Sequence, residues 1–513
     1  MNVAFGLAGL STIAALQCRR MARIKHALFV LGLCGLLSGL PVHGAVINVP
    51  ADQPTIQQGI GAAASGDTVL VSPGTYYESI NFSGKNIVVV SVAGPQTTII
   101  DAGHTNRVAT ITGSLGRSAV LQGFTLRNGN GGLYLNGASV TIYNNIIQSN
   151  ILCGSGMGID VEFCSPLIVS NIIAGNSQKT GCSGDNGAGL LIGGAAAAEI
   201  VHNIITNNYT LGDGGGIQLN ASGTPTIREN FIGWNNGNHG GAISMANYSD
   251  ALIVNNVIVS NTAATGGGIY DLVPSGHRGP YVINNTIVNN NGTTGSGVYS
   301  DAYDKAALIA NNIIVALGSQ TALYIGSFND TNQPIIRYND LYSPSGLAFG
   351  GLGANPVGVN GNISADPLFL NPALQNYRLR TNSPAIDAGL NSDAPMNDFD
   401  YAVRPYNGNG TGVADMGAFE WAPVRARILS LSAGPGAQPV LTWVSSGGAR
   451  YRVEYSNGDS QGGLTSPFTD IVQPVTQETD PGPTGAASTM TFTDTNPLSG
   501  RSRYYRIKTI SQP

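Results

Sequence analysis

One pattern constrains this chain more than any other: a short motif of an apolar pair, a polar residue, Asn and further apolar residues, which returns eight times. It reads VTIYNNIIQSN, LIVSNIIAGN, EIVHNIITNN, PTIRENFIGWN, LIVNNVIVSN, YVINNTIVNN, LIANNIIVA and IIRYNDLYS. The marker residues are Asn145, Asn171, Asn203, Asn230, Asn256, Asn285, Asn312 and Asn339, at steps of 26, 32, 27, 26, 29, 27 and 27. A second mark keeps the same beat. Gly-rich turns precede short apolar strands at Gly132-Leu133, Gly158-Ile159, Gly189-Leu190, Gly216-Ile217, Ala242-Ile243, Gly268-Ile269 and Gly297-Val298. Each repeat is therefore a Gly turn, a strand, a polar loop, a strand, an Asn turn and a strand, with apolar residues alternating rather than recurring at 3.6.

This pattern excludes most repeat folds. Helical solenoids need long amphipathic helices, which a Gly- and Val/Ile-rich text opposes. Propeller blades need about 40 residues or more per repeat, and leucine-rich repeats need their own Leu spacing. An all-β class remains, a parallel β-helix whose coils stack at about 4.8 Å with Ile, Leu and Val filling the tube. The composition agrees: 70 Gly, 42% apolar and only 10% charged residues supply turns and a core. The marker Asn are expected in the left-handed region at the coil corner, hydrogen-bonded up the stack as a structural ladder.

The pattern resembles the right-handed β-helix superfamily that includes pectate lyases, polygalacturonases and NosD-like periplasmic proteins. The resemblance covers residues 46–345 and implies a solenoid with an N-terminal capping helix. VINVPADQPTIQQGIGAAASGDTVLVSPGTYYESI is similar to that family's opening. From the residues themselves, Asp52 can cap a short helix whose Ile56, Ile60 and Ala63 share one face.

Residues 1–45 read as a signal peptide. Arg19, Arg20, Arg23 and Lys25 precede an apolar run from Ala27 to Leu37, and Val42-His43-Gly44-Ala45 offers small residues for cleavage. Met21 is a candidate true start. Secretion or cell-surface location is expected, with no stable membrane span in the mature chain, since neither this run nor the earlier one from Val3 to Leu16 reaches the roughly 20 residues a spanning helix needs. Removing the leader leaves 20 basic against 29 acidic residues, a net charge of −9, so nucleic acid is excluded as a partner. Of five Cys, Cys153, Cys164 and Cys182 remain, and Cys153 with Cys182 is the preferred disulfide pair. No metal-ligand spacing is present.

Residues 346–423 carry ADPLFLNPALQNYRLRTNSPAIDAG, DFDYAVRP and ADMGAFEW, in an order that resembles the choice-of-anchor Q module and implies surface display. The residues also allow a plainer role, capping the last coil through Leu368, Phe369, Tyr377, Ile386 and Phe419. Residues 424–513 alternate as short strands between Gly/Pro/Ser turns and resemble a fibronectin type III β-sandwich, with Trp443, Tyr455 and Tyr505 as core. A monomer is expected.

Aligning coils on the Gly mark assigns the outer face. The residue two after each mark gives Tyr134, Asp160, Leu191, Gln218, Ser244, Tyr270 and Tyr299, with Tyr324 in the next coil. Flat Tyr rings in a row can take the apolar faces of sugars, and Asp160, Glu162, Gln218, Asn220 and Asp301 can bond their hydroxyls; the alternative is a ladder of like side chains that stabilises the sheet. Three residues before each mark lie Ser155, Asn186, Asp213, His239, Thr265 and Thr294, which sets Asp213 and His239 one coil apart as a candidate acid/base pair. Asp160 and Glu162 sit about 6.6 Å apart on a strand, within the roughly 6.5–9.5 Å of inverting glycosidases. The superfamily's hydrolase motifs are otherwise missing, the nearest being Asn238-His239-Gly240. For lyase chemistry Arg278, beside His277, is the candidate base, and Ca²⁺ enters only in that case. No cofactor is evident. The leading expectation is a polysaccharide-binding surface that is not catalytic, ahead of a polysaccharide lyase or glycosidase acting on acidic glycans, and of a structural spacer or adhesin.

Overall fold

The computed structural model describes residues 44–194, 197–272, 277–301, 306–327, 334–406, 411–421, 427–433, 438–446, 450–457, 469–470, 477–479, 487–494 and 503–511. The expectations for the leader, including its basic residues and apolar runs, lie outside these. Among the described residues no helix is long and apolar enough to cross a membrane.

The chain winds into an all-β parallel solenoid of about 11 turns. Three long sheets line it. Sheet I starts at Val46–Val49 and has twelve strands, sheet II starts at Gly74–Tyr76 and also has twelve, and sheet III runs from Ile80–Asn81 to Phe349–Gly351 with eleven. Three turns precede Asn145, and the last sheet III strand lies beyond residue 345. Pairing between successive coils is in register, for example Ile227 with Ile253 and Ile232 with Ile258. Register is fixed because a one-residue slip would turn every inward side chain to solvent. The inward columns Ile142, Ile168, Ile200, Ile227, Ile253 and Ile147, Ile173, Ile205, Ile232, Ile258 are fully buried. One column breaks the rule: below Met245 in sheet III come Asp271 and Ser300, both buried, with Ser300 Oγ donating to Asp271 Oδ1 at 3.3 Å.

The Asn corner is built differently from the sequence expectation. The residue before each marker takes positive φ, among them Asn144, Ser170, His202, Glu229, Asn255, Asn284, Asn311 and Tyr338, while the markers do not. The left-handed residue turns the chain, which points the marker side chain inward. There each marker's backbone and side-chain N–H groups donate to Oδ1 of the next marker, as from Asn230 to Asn256 at 3.0 Å for both bonds. This ladder continues past Asn339 to Asn362. A second ladder, five residues further on, closes the other end of sheet II through Asn150, Asn176, Asn208, Asn235, Asn261 and Asn290.

A short helix, Ile56–Ala62, packs Ile56, Gly59 and Ile60 against the first strands. Its N-cap is Thr55, whose hydroxyl accepts from Gln58 N–H at 3.2 Å. Asp52 instead accepts from the backbone and side chain of Asn48, so its carboxylate is engaged in the preceding turn. The Cys153–Cys182 disulfide is present and joins neighbouring coils, and Cys164 is buried as a free thiol.

Residues 363–406 and 411–421 run along a flank of the solenoid. Phe369, Tyr377, Leu379, Met416, Ala418 and Phe419 pack on Phe231, Val257, Val259, Val288, Ile313 and Val315, the outward residues of four sheet II strands. The segment is thus a strap along the flank. Its placement follows from sheet II being apolar on both faces, as Val257–Val259 and Ile313–Ala316 are. The corner residues Asn255, Asn284 and Asn311 clamp it, donating to the carbonyls of Asn397, Asp415 and Leu390 at 2.7, 3.0 and 3.0 Å. The acidic residues of DFDYAVRP and ADMGAFEW staple the strap to itself: Asp398 accepts from Glu420 N–H and Glu420 from Tyr406 N–H.

Beyond the strap, Arg427–Ala433, Pro439–Ser446 and Ala487–Thr493 form one antiparallel sheet, and Arg450–Asn457 pairs antiparallel with Thr469–Asp470, Gln477–Thr479 and Arg503–Ser511. Trp443 and Leu441 of the first sheet meet Tyr451 and Val453 of the second in one buried cluster, with Tyr505 packed against it. The Tyr455 side chain lies outside the described residues.

Candidate functional site

Sheet III carries the column expected from the sequence. Register pairs Tyr134, Asp160, Leu191, Gln218, Ser244, Tyr270, Tyr299 and Tyr324 in succession along one face. The turns before these strands fold back over the roots of the column. Gly214, Gly240, Gly266 and Gly295 have positive φ, and a Cβ on them would lie 2.7–2.9 Å from atoms of Gln218, Ser244, Tyr270 and Tyr299. Short side chains therefore vanish beneath the turns: Gln218 and Ser244 are buried. Tyr270, Tyr299 and Tyr324 reach past them and remain half-buried.

The three rings stack. Tyr270 and Tyr299 have centroids 5.5 Å apart at 14°, Tyr299 and Tyr324 5.3 Å apart at 7°. Near-parallel rings this close cannot lie side by side in one plane, so they overlap in the offset manner that aromatic quadrupoles favour. This changes the expected mode of contact. Both faces of Tyr299 are taken by its neighbours, which leaves ring edges and phenol hydroxyls for contact, the Tyr299 hydroxyl lying over Gly326.

His239 continues the stack, its ring 4.8 Å from Tyr270 at 32°. Its Nδ1 bonds Asp213 Oδ1 at 2.7 Å, and its backbone N–H donates to the same oxygen at 3.2 Å. Both side chains keep about a third of their surface exposed, 36% for His239 and 33% for Asp213. The hydrogen bond from Asp213 is the main cause that raises the His239 pKa, with Asp213 and Asp301 adding charge and partial burial opposing. The pair at the edge of sheet III can hold a proton or exchange one with a bound group. Burial, helped by the Asp301 charge, raises the pKa of Tyr270 and of Tyr299, so both phenols stay protonated donors.

The other sequence-predicted residues are dispersed. Asp160 is paired with Arg107 at 2.7 Å, both largely buried, and Arg107 also bonds the carbonyls of Leu133, Ser155 and Gly156 and stacks on Tyr134. Burial still carries the Asp160 pKa up to about 6 despite Arg107. Glu162 lies along Gly193, and burial raises its pKa. Asp301 bonds Ser327 at the far edge of sheet III, and Asn220 accepts from Asn247 Nδ2 at 2.9 Å. Arg278 does not join Asp213 and His239. These precede a sheet III strand whereas Arg278 follows one, about 13 Å of strand away, and its guanidinium lies 3.8 Å over Tyr281 and donates to Asp250 O. Among the described residues the one group of three ligand-type side chains is Cys153, Cys182 and Asp185, whose two sulfurs are bonded to each other.

Sequence reasoning missed the second Asn ladder, although its Asn stand at a constant five residues after the markers. It also missed Arg107 as the partner of Asp160, for which 53 residues of separation leave no local signal.

The sequence matches a family described as right handed beta helix region, over residues 96–232 and 131–314. No curated protein matches it. Similar solved structures include a mannuronic acid specific polysaccharide family 6 lyase enzyme from human gut microbiota, at 14% identity over 61% of this chain and 83% of that one, TM-score 0.29. Another is the PL6 family alginate lyase AlyGC, at 13% identity over 76% of this chain and 60% of that one, TM-score 0.29. Family match and coil geometry agree that the fold is a right-handed parallel β-helix.

Proposed function

We propose that this protein binds polysaccharide strands along the outer face of sheet III, outside the cell, with the strap and the C-terminal strands as a spacer or attachment module. The supporting observation is the half-exposed stack of Tyr270, Tyr299 and Tyr324 continued by His239 and Asp213. Phenol hydroxyls repeat at the coil step of about 4.8 Å and both donate and accept, so a strand lying along the solenoid meets the same group in the three successive coils of Tyr270, Tyr299 and Tyr324. Asp301 on one edge and the Asp213–His239 pair on the other supply stronger acceptors and a donor. The test is a glycan array probed with wild type and with Tyr270→Ala and Tyr299→Ala. Retention by wild type and loss in both variants supports the reading; equal retention by the variants overturns it.

A second reading, glycan cleavage, rests on the 2.7 Å Asp213–His239 bond. It needs unsaturated or reducing ends to accumulate from a retained glycan, and their loss in His239→Gln.

A further inference from the structure

We infer that the corner between sheets III and I holds a second, separate ligand site, for a short neutral oligosaccharide. A cleft of about 500 Å³ opens there, lined by Phe163, Gly194, Ala221, Gly223, Thr224, Tyr248, Asp250 and His277. Its volume falls in the class of small-molecule sites, about 300–1,000 Å³. Phe163, Gly194 and Ala221 are the positive-φ residues that follow three successive sheet III strands, and Tyr248 occupies the same corner one coil further on. The cleft therefore spans three coil steps, about 14 Å.

Two large rings stand in its lining. Phe163 is 68% exposed and Tyr248 53%. The ring of Phe163 lies against Gly194, where a Cβ would come within 2.4 Å of it. Tyr248 is held by His277, centroids 4.1 Å apart at 51°. Between them the floor is Ala221 and Gly223, too small to fill the space. Polar groups are few and placed at the wall: the Thr224 hydroxyl, His277, and Asp250, one of whose carboxylate oxygens accepts from Gly279 N–H at 2.7 Å.

This chemistry selects the ligand. Exposed rings beside a small floor suit the apolar C–H faces of pyranose rings, and a carboxylate and a hydroxyl at the wall suit sugar hydroxyls. Acidic sugars are disfavoured, because Asp250 lines the cleft and the guanidinium of Arg278, which follows His277 in sequence, is engaged by Tyr281 and Asp250 O. The site shares no lining residue with the Tyr stack on sheet III and does not depend on it.

The experiment uses cellotriose as probe, by saturation-transfer NMR and calorimetry on the whole chain carrying Tyr299→Ala, so that the sheet III face does not contribute. Phe163→Ala and Tyr248→Ala are then added singly. Both side chains are exposed, so thermal stability should hold. Binding that falls at least tenfold in each variant, with melting unchanged, supports the site. Absence of cellotriose binding, or binding unaltered by both substitutions, overturns it.

Discussion

Asn256→Ala should loosen the solenoid locally by about 2–6 kcal/mol. In the native coil Asn256 Oδ1 accepts from the Asn230 backbone N–H and side-chain amide, both at 3.0 Å, while its own Nδ2 donates to Ile227 O, Val254 O and Asn285 Oδ1 at 2.8, 3.1 and 3.0 Å. Removing the amide leaves the buried Asn230 N–H without that acceptor and Ile227 O without that donor. Each unsatisfied buried group costs about 1–3 kcal/mol, whereas the Asn230 side-chain amide keeps Ile200 O and Arg228 O. Two such groups sum to about 2–6 kcal/mol. Hydrogen exchange read by mass spectrometry on peptides spanning 226–259 should then quicken about 30- to 20,000-fold. Asn220→Ala is the control, an exposed Asn outside both ladders, expected to change stability by less than about 0.5 kcal/mol. If the 226–259 peptides of Asn256→Ala exchange as in wild type, the ladder does not hold the coils and the reasoning fails.

Asp213→Asn should lower the His239 pKa, measured by NMR titration of its ring. The native pKa is raised, so the pair's stabilisation is fully present below the unfolded value of about 6.5 and is lost as pH rises through the folded value. Wild type should accordingly out-stabilise Asp213→Asn at pH 6, and the gap should close on the alkaline side. Val288→Asp places a carboxylate on the outer face of sheet II under the strap, a buried unpaired charge worth about 3–5 kcal/mol; limited proteolysis should cut within 385–421 while the coils stay protected. A chain beginning at residue 46 should show no thiol reactive toward an aromatic disulfide when native and one when unfolded, because Cys164 is buried with its pKa pushed up to about 11 and the other two Cys are bonded.

The solenoid was legible because each coil repeats one physical problem. The Gly mark placed Tyr270 and Tyr299 in one column, with Tyr324 by extension into the next coil, and pairing reproduces it residue by residue. Local chemistry was harder to read. That Asn255 rather than Asn256 adopts positive φ depends on which side chain must point inward, and adjacent Asn residues carry no mark of that choice. The strap was hidden for another reason. NVIV and NTIV look like core strands, and a face that is apolar outward as well as inward signals a cover without saying what covers it. The stacking of the Tyr rings was open to both expectations, a sugar platform or a ladder. The small angles between ring planes show that the three rings stack on one another.

The most direct test of the glycan face is tyrosine-ring NMR on protein labelled with ¹³C at the ring carbons, titrated with whichever glycan the array retains. The account predicts that Tyr270, Tyr299 and Tyr324 shift together, with His239 following, while Tyr143 and Tyr281 of sheet I stay in place. Shifts confined to other tyrosines, with the sheet III stack unmoved, would contradict it.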